Sequence, residues 1–256
     1  MMTIKNAADI EKMRAAGRVV GDTLQRLAEL AKPGVTTAEL DAAAEDCIRS
    51  HGAEPSFLGL YGYPKSICAS VNEQVVHGIP GSYKLREGDI VGVDVGAKLN
   101  GFHGDAARTL CVGGVTPEVQ RLVQVTKECF FAGIQFAKRG YRISDISGAI
   151  QAHAEANGYG VVRELVGHGI GRDMHESPDV PNFLSKAMGH GVRLVPGMTL
   201  AIEPMINMGG KEVYQLSDGW TVITKDGLPS AHYENTIVIT EGEPELLTLE
   251  AAYAEN

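Results

Sequence analysis

The stretch 93–105 reads Val93-Asp94-Val95-Gly96-Ala97-Lys98-Leu99-Asn100-Gly101-Phe102-His103-Gly104-Asp105. It contains two apolar, strand-like runs, and each carries a carboxylate where a buried strand normally carries Val or Ile. An ionised carboxylate in such a strand costs several kcal/mol unless a cation meets it. The same anomaly recurs at Glu203, in the apolar run 198–204, and at Glu234, in the run 233–239. Together these four carboxylates predict a bound metal.

A structural alternative exists for Asp94 and Asp105, which could be strand-end or turn acids paired with Arg108 or Lys98. An internal repeat favours metal binding over this ion-pair alternative. The run Leu85-x-x-Gly88 through Asp94 matches Leu194-x-x-Gly197 through Glu203, an offset of 109 (203 − 94). We therefore predict one catalytic domain, 1–256, made of two halves at about 1–115 and 116–256. Pseudo-twofold packing of these halves would bring Asp94 close to Glu203.

The pattern of apolar residues and turns predicts an α/β (α+β) fold. A first helix is predicted from the apolar spacing between Ile10 and Leu27, a second from the capping box Thr36-x-x-Glu39, a third at Thr116-Pro117, and a fourth after Ser144. Strands are predicted at about 67–71, 90–96, 106–112, 161–166, 198–206, 220–224 and 235–240. The glycine-rich segment 167–176 is predicted to be a loop.

The composition favours an acidic protein that acts without nucleic acid or membrane. The 256 residues are 44% hydrophobic, and the formal net charge of −9 argues against either as the main partner. The sequence contains no apolar signal core and no run of about 18 apolar residues. We expect a cytoplasmic monomer. Because Cys47, Cys68, Cys111 and Cys129 form no Cys-x-x-Cys pair, neither a disulfide framework nor a thiolate zinc site is expected.

Three histidines stand out by their context, namely His77 before Gly78, and His168 and His175 within 167–176. Neutral imidazole is the commonest nitrogen ligand of divalent transition metals, although each histidine could instead be an ordinary hydrogen-bonding residue. The sequence lacks the His-Glu-x-x-His, Gly-x-Ser-x-Gly and P-loop motifs, and 167–171 does not have the glycine spacing of a dinucleotide fingerprint. Four carboxylates and one to three imidazoles suit two divalent ions that share bridging carboxylates.

Over essentially its whole length the chain resembles the type I methionine aminopeptidases, metallopeptidases of the pita-bread fold. The matching blocks include His77-Gly78-Ile79-Pro80 and Gly167-His168-Gly169-Ile170-Gly171, together with residues 63–73, 94–97, 104–105, 175–176, 201–204 and 233–236. The resemblance implies two pseudo-twofold-related halves with antiparallel sheet covered by helices.

The resemblance also implies the residues of the active site. The metal ligands would be Asp94, Asp105, His168, Glu203 and Glu234, which hold two divalent ions (Co, Mn, Fe or Zn). Asp105 and Glu234 resemble the bridging carboxylates. Glu203 would also relay a proton to the leaving amine. The remaining catalytic residues would be His77, near the scissile nitrogen, and His175, which meets the carbonyl oxygen as negative charge develops.

The implied substrate pocket is apolar and suits a thioether side chain. Its residues would be Phe57, Leu60, Tyr63, Cys68, Met174 and Trp220, with His77 and His175 also contacting substrate. Family members often have Cys, Tyr and Phe where this chain has Phe57, Leu60 and Met174. For Trp220, the only tryptophan, a packing role is the alternative.

The implied reaction is removal of the initiator methionine from peptides and nascent chains whose second residue is small, with the ribosome as an expected partner. Two alternatives stay open. A proline-specific aminopeptidase or dipeptidase of the same fold would use the same metals but usually carries a further amino-terminal domain. A binding module of the same fold would be expected to lose metal ligands that this sequence keeps.

Overall fold

The computed structural model describes residues 2–186 and 189–249. Within these ranges the chain forms four α-helices and one short 3-10 turn. They are α1 (Ala7–Leu30), α2 (Thr37–Ser50), the turn Leu60–Gly62, α3 (Pro117–Ile134) and α4 (Ile143–Ala156). The predicted helix starts are confirmed at α2, where Thr36 and Glu39 form a capping box, and at α3, where Pro117 follows the N-cap Thr116.

The strands are short apart from the two that carry the sequence 93–105. In chain order they are β1 (Glu54–Pro55), β2 (Ile67–Val71), β3 (Gln74–Val76), β4 (Ile90–Leu99), β5 (Phe102–Cys111), β6 (Gly160–Val161), β7 (Gly167–Gly169), β8 (Glu176–Val180), β9 (Thr199–Ile202), β10 (Met205–Asn207), β11 (Val213–Gln215), β12 (Val222–Thr224), β13 (Ser230–His232), β14 (Asn235–Val238) and β15 (Glu245–Leu246).

Every strand pair among the described residues is antiparallel. In one sheet β4 pairs with both β1 and β2 along one edge and with β5 along the opposite edge. A second sheet has the order β15-β14-β9-β7-β8. Two smaller sheets have the orders β13-β10-β6 and β11-β12-β3. In the β4–β5 hairpin Asp94 lies opposite Ala107, and Asp105 lies opposite Gly96. Since residues two apart share a face, both carboxylates point to the same side of the sheet.

Helices cover the sheets on their other side. Helices α1 and α2 bury Leu24, Leu27 and Leu40 against the hairpin strands. Helices α3 and α4 pack on each other and bury Phe130 and Ile146 in a second cluster with the strands of the carboxyl-terminal part. The predicted fold class, α/β with antiparallel sheet covered by helices, is therefore confirmed.

The two large sheets meet where β5 runs beside β14. The Glu234 amide donates to the Ala107 carbonyl over 3.0 Å. The Thr236 hydroxyl accepts from the Asp105 amide at 3.0 Å and donates to the Asp105 carbonyl at 2.9 Å. The Arg108 guanidinium donates to the Glu234 carbonyl at 2.6 Å. This seam fixes the backbone of two of the singled-out carboxylates relative to each other.

Three of the predicted elements are wrong in detail. The strand predicted at 161–166 ends at Val161. The run 198–206 is broken into β9 and β10 at Glu203-Pro204, because proline has no amide hydrogen for the ladder. The segment predicted as a loop contains strand β7. At Gly167 a Cβ would lie 2.4 Å from the Ala201 carbonyl oxygen, so glycine here permits close strand packing.

The division of the chain into two halves, at about 1–115 and 116–256, stays a prediction. Residues 1, 187–188 and 250–256 of the predicted domain lie outside the described residues. Among the described residues, no helix combines the length and the apolar character that crossing a membrane requires.

The close packing of Gly17 in α1 against the Leu247 backbone gives a stability prediction. A Cβ on Gly17 in α1 would lie 1.9 Å from the Leu247 carbonyl oxygen, so Gly17→Ala should lower the free energy of unfolding by about 3 kcal/mol. Gly148 in α4 is the matched control, since a Cβ there makes ordinary 3.4 Å contact with Leu184. Gly148→Ala should raise the free energy of unfolding by about 0.5 kcal/mol. Urea unfolding measures both changes, and equal effects would contradict the packing described.

Candidate metal centre

A cavity of about 540 Å³ opens where the two large sheets meet. Its carboxylates come from β4, from β5 and from the residues that flank β9 and β14, and the imidazole of His168 joins them from β7. Asp94, Asp105, Glu203 and Glu234 all line the cavity, and Glu176 and Asp179 line its wall as well. The structure therefore brings together all four strand carboxylates that the sequence analysis singled out, although they lie up to 140 residues apart (234 − 94).

The donor atoms lie at distances that one or more cations could bridge. The Nε2 atom of His168 lies 3.7 Å from Asp105 Oδ2 and 3.7 Å from Glu203 Oε1. Donor atoms of Asp105, His168 and Glu234 all lie within 4.8 Å of one another. The Nδ1 atom of His168 donates to the Gly169 carbonyl at 2.9 Å, which leaves the Nε2 lone pair directed at the carboxylates.

Several oxygens in this cavity have no hydrogen-bond partner among the described residues. They are Oδ1 of Asp94, Oδ1 of Asp105 and Oε1 of Glu234. A buried polar atom without a partner is costly, and carboxylate oxygens of this kind are ligands for divalent cations. The donor set present therefore fits a metal.

Burial raises the pKa of every carboxyl group in the cluster, and repulsion between carboxylates adds to it for Asp105, Glu203 and Glu234. Burial raises the pKa of Asp94 to about 7. Burial, and then the charges of Glu234 and Asp94, raise the pKa of Asp105 well above its ordinary value. Burial followed by the neighbouring carboxylates does the same for Glu203 and Glu234. Without a cation the cluster retains protons at neutral pH, and a divalent ion would replace them.

The histidines of the site are neutral at pH 7. Burial lowers the pKa of His168 to about 4, and burial also lowers the pKa values of His77 and His175. The His175 ring lies 4.4 Å from the His168 ring, centroid to centroid, in an edge-on arrangement. Both His77 and His175 line the cavity, where a neutral imidazole can donate a hydrogen bond to a substrate.

The predicted apolar residues lie beside the carboxylates, with one exception. The cavity is lined by Phe57, Leu60, Tyr63, Cys68 and Trp220. Met174 does not line the cavity; it is 3% exposed and packs in the apolar cluster behind Phe57 and Tyr63. The Trp220 ring meets the Tyr63 ring edge-on at 5.0 Å, so Trp220 combines wall and packing contacts.

Two further residues lie in or beside the site that the sequence analysis did not single out. The Nε2 atom of buried His232 lies 3.7 Å from Glu203 Oε2 and 3.8 Å from Glu234 Oε2. The sequence does contain a signal for His232, because it lies two residues before Glu234 and alternate residues of an extended chain point to the same side. Tyr61 is 75% exposed and stacks on His175 with ring centroids 5.8 Å apart. Nothing local in the sequence marked Tyr61.

Comparison with known proteins identifies the family. The sequence profile of metallopeptidase family M24 matches residues 11–241. The chain belongs to this family. It is 56% identical to the methionine aminopeptidase of Clostridium perfringens, over 97% of this chain and 99% of that one. It is 50% identical to methionine aminopeptidase 1 of Bacillus subtilis, again over 97% of this chain and 99% of that one.

Solved structures agree with this M24 assignment. The crystal structure of a Thermotoga maritima methionine aminopeptidase superposes with a TM-score of 0.94 at 44% identity, covering 98% of this chain and 100% of that one. The prolidase of Pyrococcus furiosus has a TM-score of 0.77 at 23% identity and is covered over 65% of its length, a likeness that shows the fold alone. The resemblance to type I methionine aminopeptidases, the pita-bread fold and the metal-dependent peptidase class are thus confirmed.

The raised carboxyl pKa values predict how stability depends on pH after metal removal. The folded-state pKa of each carboxyl lies above its unfolded value, so the stability it contributes is lost as the pH rises through the folded-state pKa. Between pH 6.5 and 8.5 Asp94 alone should cost about 0.8 kcal/mol, and the three more strongly shifted carboxyls add to this loss. The buried histidines act in the opposite sense, but only as the pH falls below about 6.5.

Urea unfolding of chelator-treated protein at pH 6.5 and 8.5 checks this prediction. The free energy of unfolding should be lower at pH 8.5, and Asp94→Asn should make the difference smaller because it removes one titrating group. A stability that stays constant or rises over this window would contradict the described burial of the carboxylates.

Proposed function

We propose that this chain removes the amino-terminal methionine from peptides and nascent proteins whose second residue is small, by metal-dependent hydrolysis. The observation that carries the proposal is a buried set of carboxylate and imidazole donors placed directly beside an apolar pocket. Sequence relatives at 47–56% identity over nearly the full chain are named methionine aminopeptidases, which supports the substrate. An open cavity with this lining suits a short, unstructured peptide end.

Two divalent ions are proposed, held by Asp94, Asp105, His168, Glu203 and Glu234. Asp105 and Glu234 resemble the bridging carboxylates of the family, and the β5–β14 seam holds them near each other, since the Asp105 amide donates to the Thr236 hydroxyl and the Glu234 amide to the Ala107 carbonyl. When bound, such ions polarise a carbonyl oxygen and supply an activated water. Carboxylates with one imidazole suit Mn²⁺ or Fe²⁺, and Co²⁺ and Zn²⁺ also fit this donor set.

The chain's own residues would orient the substrate and move protons. Neutral His175 would donate a hydrogen bond to the carbonyl oxygen of the scissile bond as negative charge develops there. His77, across the cavity, would lie near the scissile nitrogen. Glu203 is assigned the proton transfer to the leaving amine, because its carboxylate lies within the donor cluster and faces the cavity.

The methionine side chain would occupy the apolar pocket of Phe57, Leu60, Tyr63, Cys68 and Trp220, backed by Met174. Two features support an apolar pocket with a fixed Tyr63 ring. The Tyr63 hydroxyl donates to the carbonyls of Ile67 and Gly78 at 3.1 and 3.0 Å. Burial raises the pKa of the Cys68 thiol well above its ordinary value, so this wall stays uncharged. A neutral thiol and aromatic rings suit a thioether.

The proposal extends to the setting of the reaction. A chain of net charge −9 that processes nascent proteins would act as a cytoplasmic monomer, with the ribosome as a transient partner and without specific contact to nucleic acid or membrane. Proline-specific hydrolysis is the competing function, and the prolidase likeness supports only the shared fold.

Peptide hydrolysis tests the reaction and its specificity together. Metal-stripped protein is titrated with Mn²⁺, Fe²⁺ and Co²⁺ and assayed on Met-Ala-Ser, Met-Phe-Ser and Ala-Pro-Ser. Methionine release from Met-Ala-Ser alone is the expected result. Cleavage of Ala-Pro-Ser in its place would transfer the assignment to a proline-specific enzyme, and inactivity on all three peptides with metal bound would favour a binding module.

Two substitutions separate a metal ligand from a non-ligand. Asp105→Ala removes a proposed bridging carboxylate and should lose bound metal, as measured by atomic emission on gel-filtered protein. His77→Ala should keep metal near two equivalents per chain while kcat falls by about 100-fold or more. Equal loss of metal in both variants would overturn the division of roles.

A further inference from the structure

The loop that carries His175 is tied together by the next residue, Glu176. This loop joins β7 to β8 and spans residues 170–175. The Oε1 atom of Glu176 accepts hydrogen bonds from the backbone amides of Arg172 at 2.9 Å and Asp173 at 3.4 Å. The backbone path of the loop, and with it the origin of the His175 side chain, therefore depends on where this one carboxylate is held.

The other oxygen of Glu176 is held by the amino-terminal segment of the chain, residues 3–5. Lys5 Nζ lies 2.6 Å from Glu176 Oε2, and the Thr3 hydroxyl donates to the same oxygen at 2.5 Å. Lys5 Nζ also donates to Thr3 Oγ1 at 2.6 Å. The Lys5 and Glu176 side chains are only 4% and 5% exposed. Burial raises the pKa of Glu176, but hydrogen bonds from Lys5 and Thr3 outweigh it and keep the carboxylate ionised.

Further contacts hold both partners of this pair in place. The Lys5 amide donates to the Gly197 carbonyl at 2.8 Å, which anchors the segment beside β9. A Cβ on Gly171 would lie 2.5 Å from Lys5 Cε, so the loop and the segment are packed without spare room. A second tie joins the loop to α1, because the Arg172 guanidinium lies 3.4 Å from Asp9 Oδ1.

We propose that Lys5, assisted by Thr3, is a positioning residue for the hydrolytic reaction, acting through Glu176 on the loop that aims His175 into the cavity. This inference rests on the proposed function. A hydrogen-bond donor to a developing negative charge must be held within a fraction of an ångström, and a misplacement of about 1 Å costs about 100-fold in rate. Lys5 itself does not line the cavity and lies outside the donor cluster; it contacts Glu176, which is at the cavity wall.

A matched control separates positioning from general stabilisation. Arg14 in α1 pairs with Glu245 in β15 at 2.8 Å, and like Lys5 it ties the amino-terminal part of the chain to a distant strand. Neither Arg14 nor Glu245 lines the cavity. Lys5→Met and Arg14→Met thus each remove one such cation, and only the first of them is connected to His175.

The test combines kinetics with a spectroscopic readout on metal-loaded full-length protein. Lys5→Met should lower kcat for Met-Ala-Ser at least tenfold, with KM within twofold and metal content unchanged, whereas Arg14→Met should leave kcat within twofold. The imidazole NMR signal of His175, assigned through His175→Gln, should shift in Lys5→Met while that of His77 stays in place. Thr3→Val keeps the Lys5–Glu176 pair and should give a smaller change of the same kind.

Equal kcat values in Lys5→Met and Arg14→Met, or an unmoved His175 signal, would overturn the inference. If Lys5→Met does not fold, Thr3→Val decides, and an unchanged His175 signal and kcat in that variant would likewise overturn it. Failure of the proposed function is distinguishable, because it would appear as an unsubstituted protein that does not release methionine, whereas the NMR comparison would still report on the loop.

Discussion

Four carboxyl groups in one buried cavity are the constraint on which the rest of the structure depends. Desolvation opposes this arrangement and raises the pKa values of all four carboxyl groups, and Coulomb repulsion raises those of Asp105, Glu203 and Glu234 further. Only a cation can offset such a cost while the groups stay ionised. Metal affinity is therefore built into the placement of the strands, and folding and metal binding are thermodynamically linked.

The fold meets this constraint by dividing tasks between elements. The β4–β5 hairpin sets two carboxylates on one face, and the β5–β14 seam brings Glu234 to them through backbone bonds and the Arg108 guanidinium. The helices pack on the outer faces of the sheets, and none of the residues that line the cavity belongs to α1, α2, α3 or α4. Neutral aromatic rings, a thiol and neutral histidines line the cavity, which suits a peptide end that carries an apolar side chain.

Much of this could be predicted from sequence because the signals are local. A carboxylate in an apolar strand and a Thr-x-x-Glu capping box are visible within a few residues. Apart from the strand break at Pro204, which has a local cause, the features that were missed depend on contacts between distant segments. Gly167 lies in a strand because the Ala201 carbonyl approaches it closely. The pair Lys5–Glu176 joins residues 171 positions apart in the sequence, and Tyr61 contacts His175, which lies 114 positions further along. Neither contact has a local signature in the sequence.

We propose that these side chains hold two divalent ions. Anomalous X-ray diffraction from crystals grown with Mn²⁺ tests it most directly, because it locates the ions without reference to activity. The account predicts two anomalous peaks about 3.5 Å apart, within bonding distance of Asp94, Asp105, His168, Glu203 and Glu234. Crystals that show no peak among these side chains at saturating Mn²⁺ would contradict it.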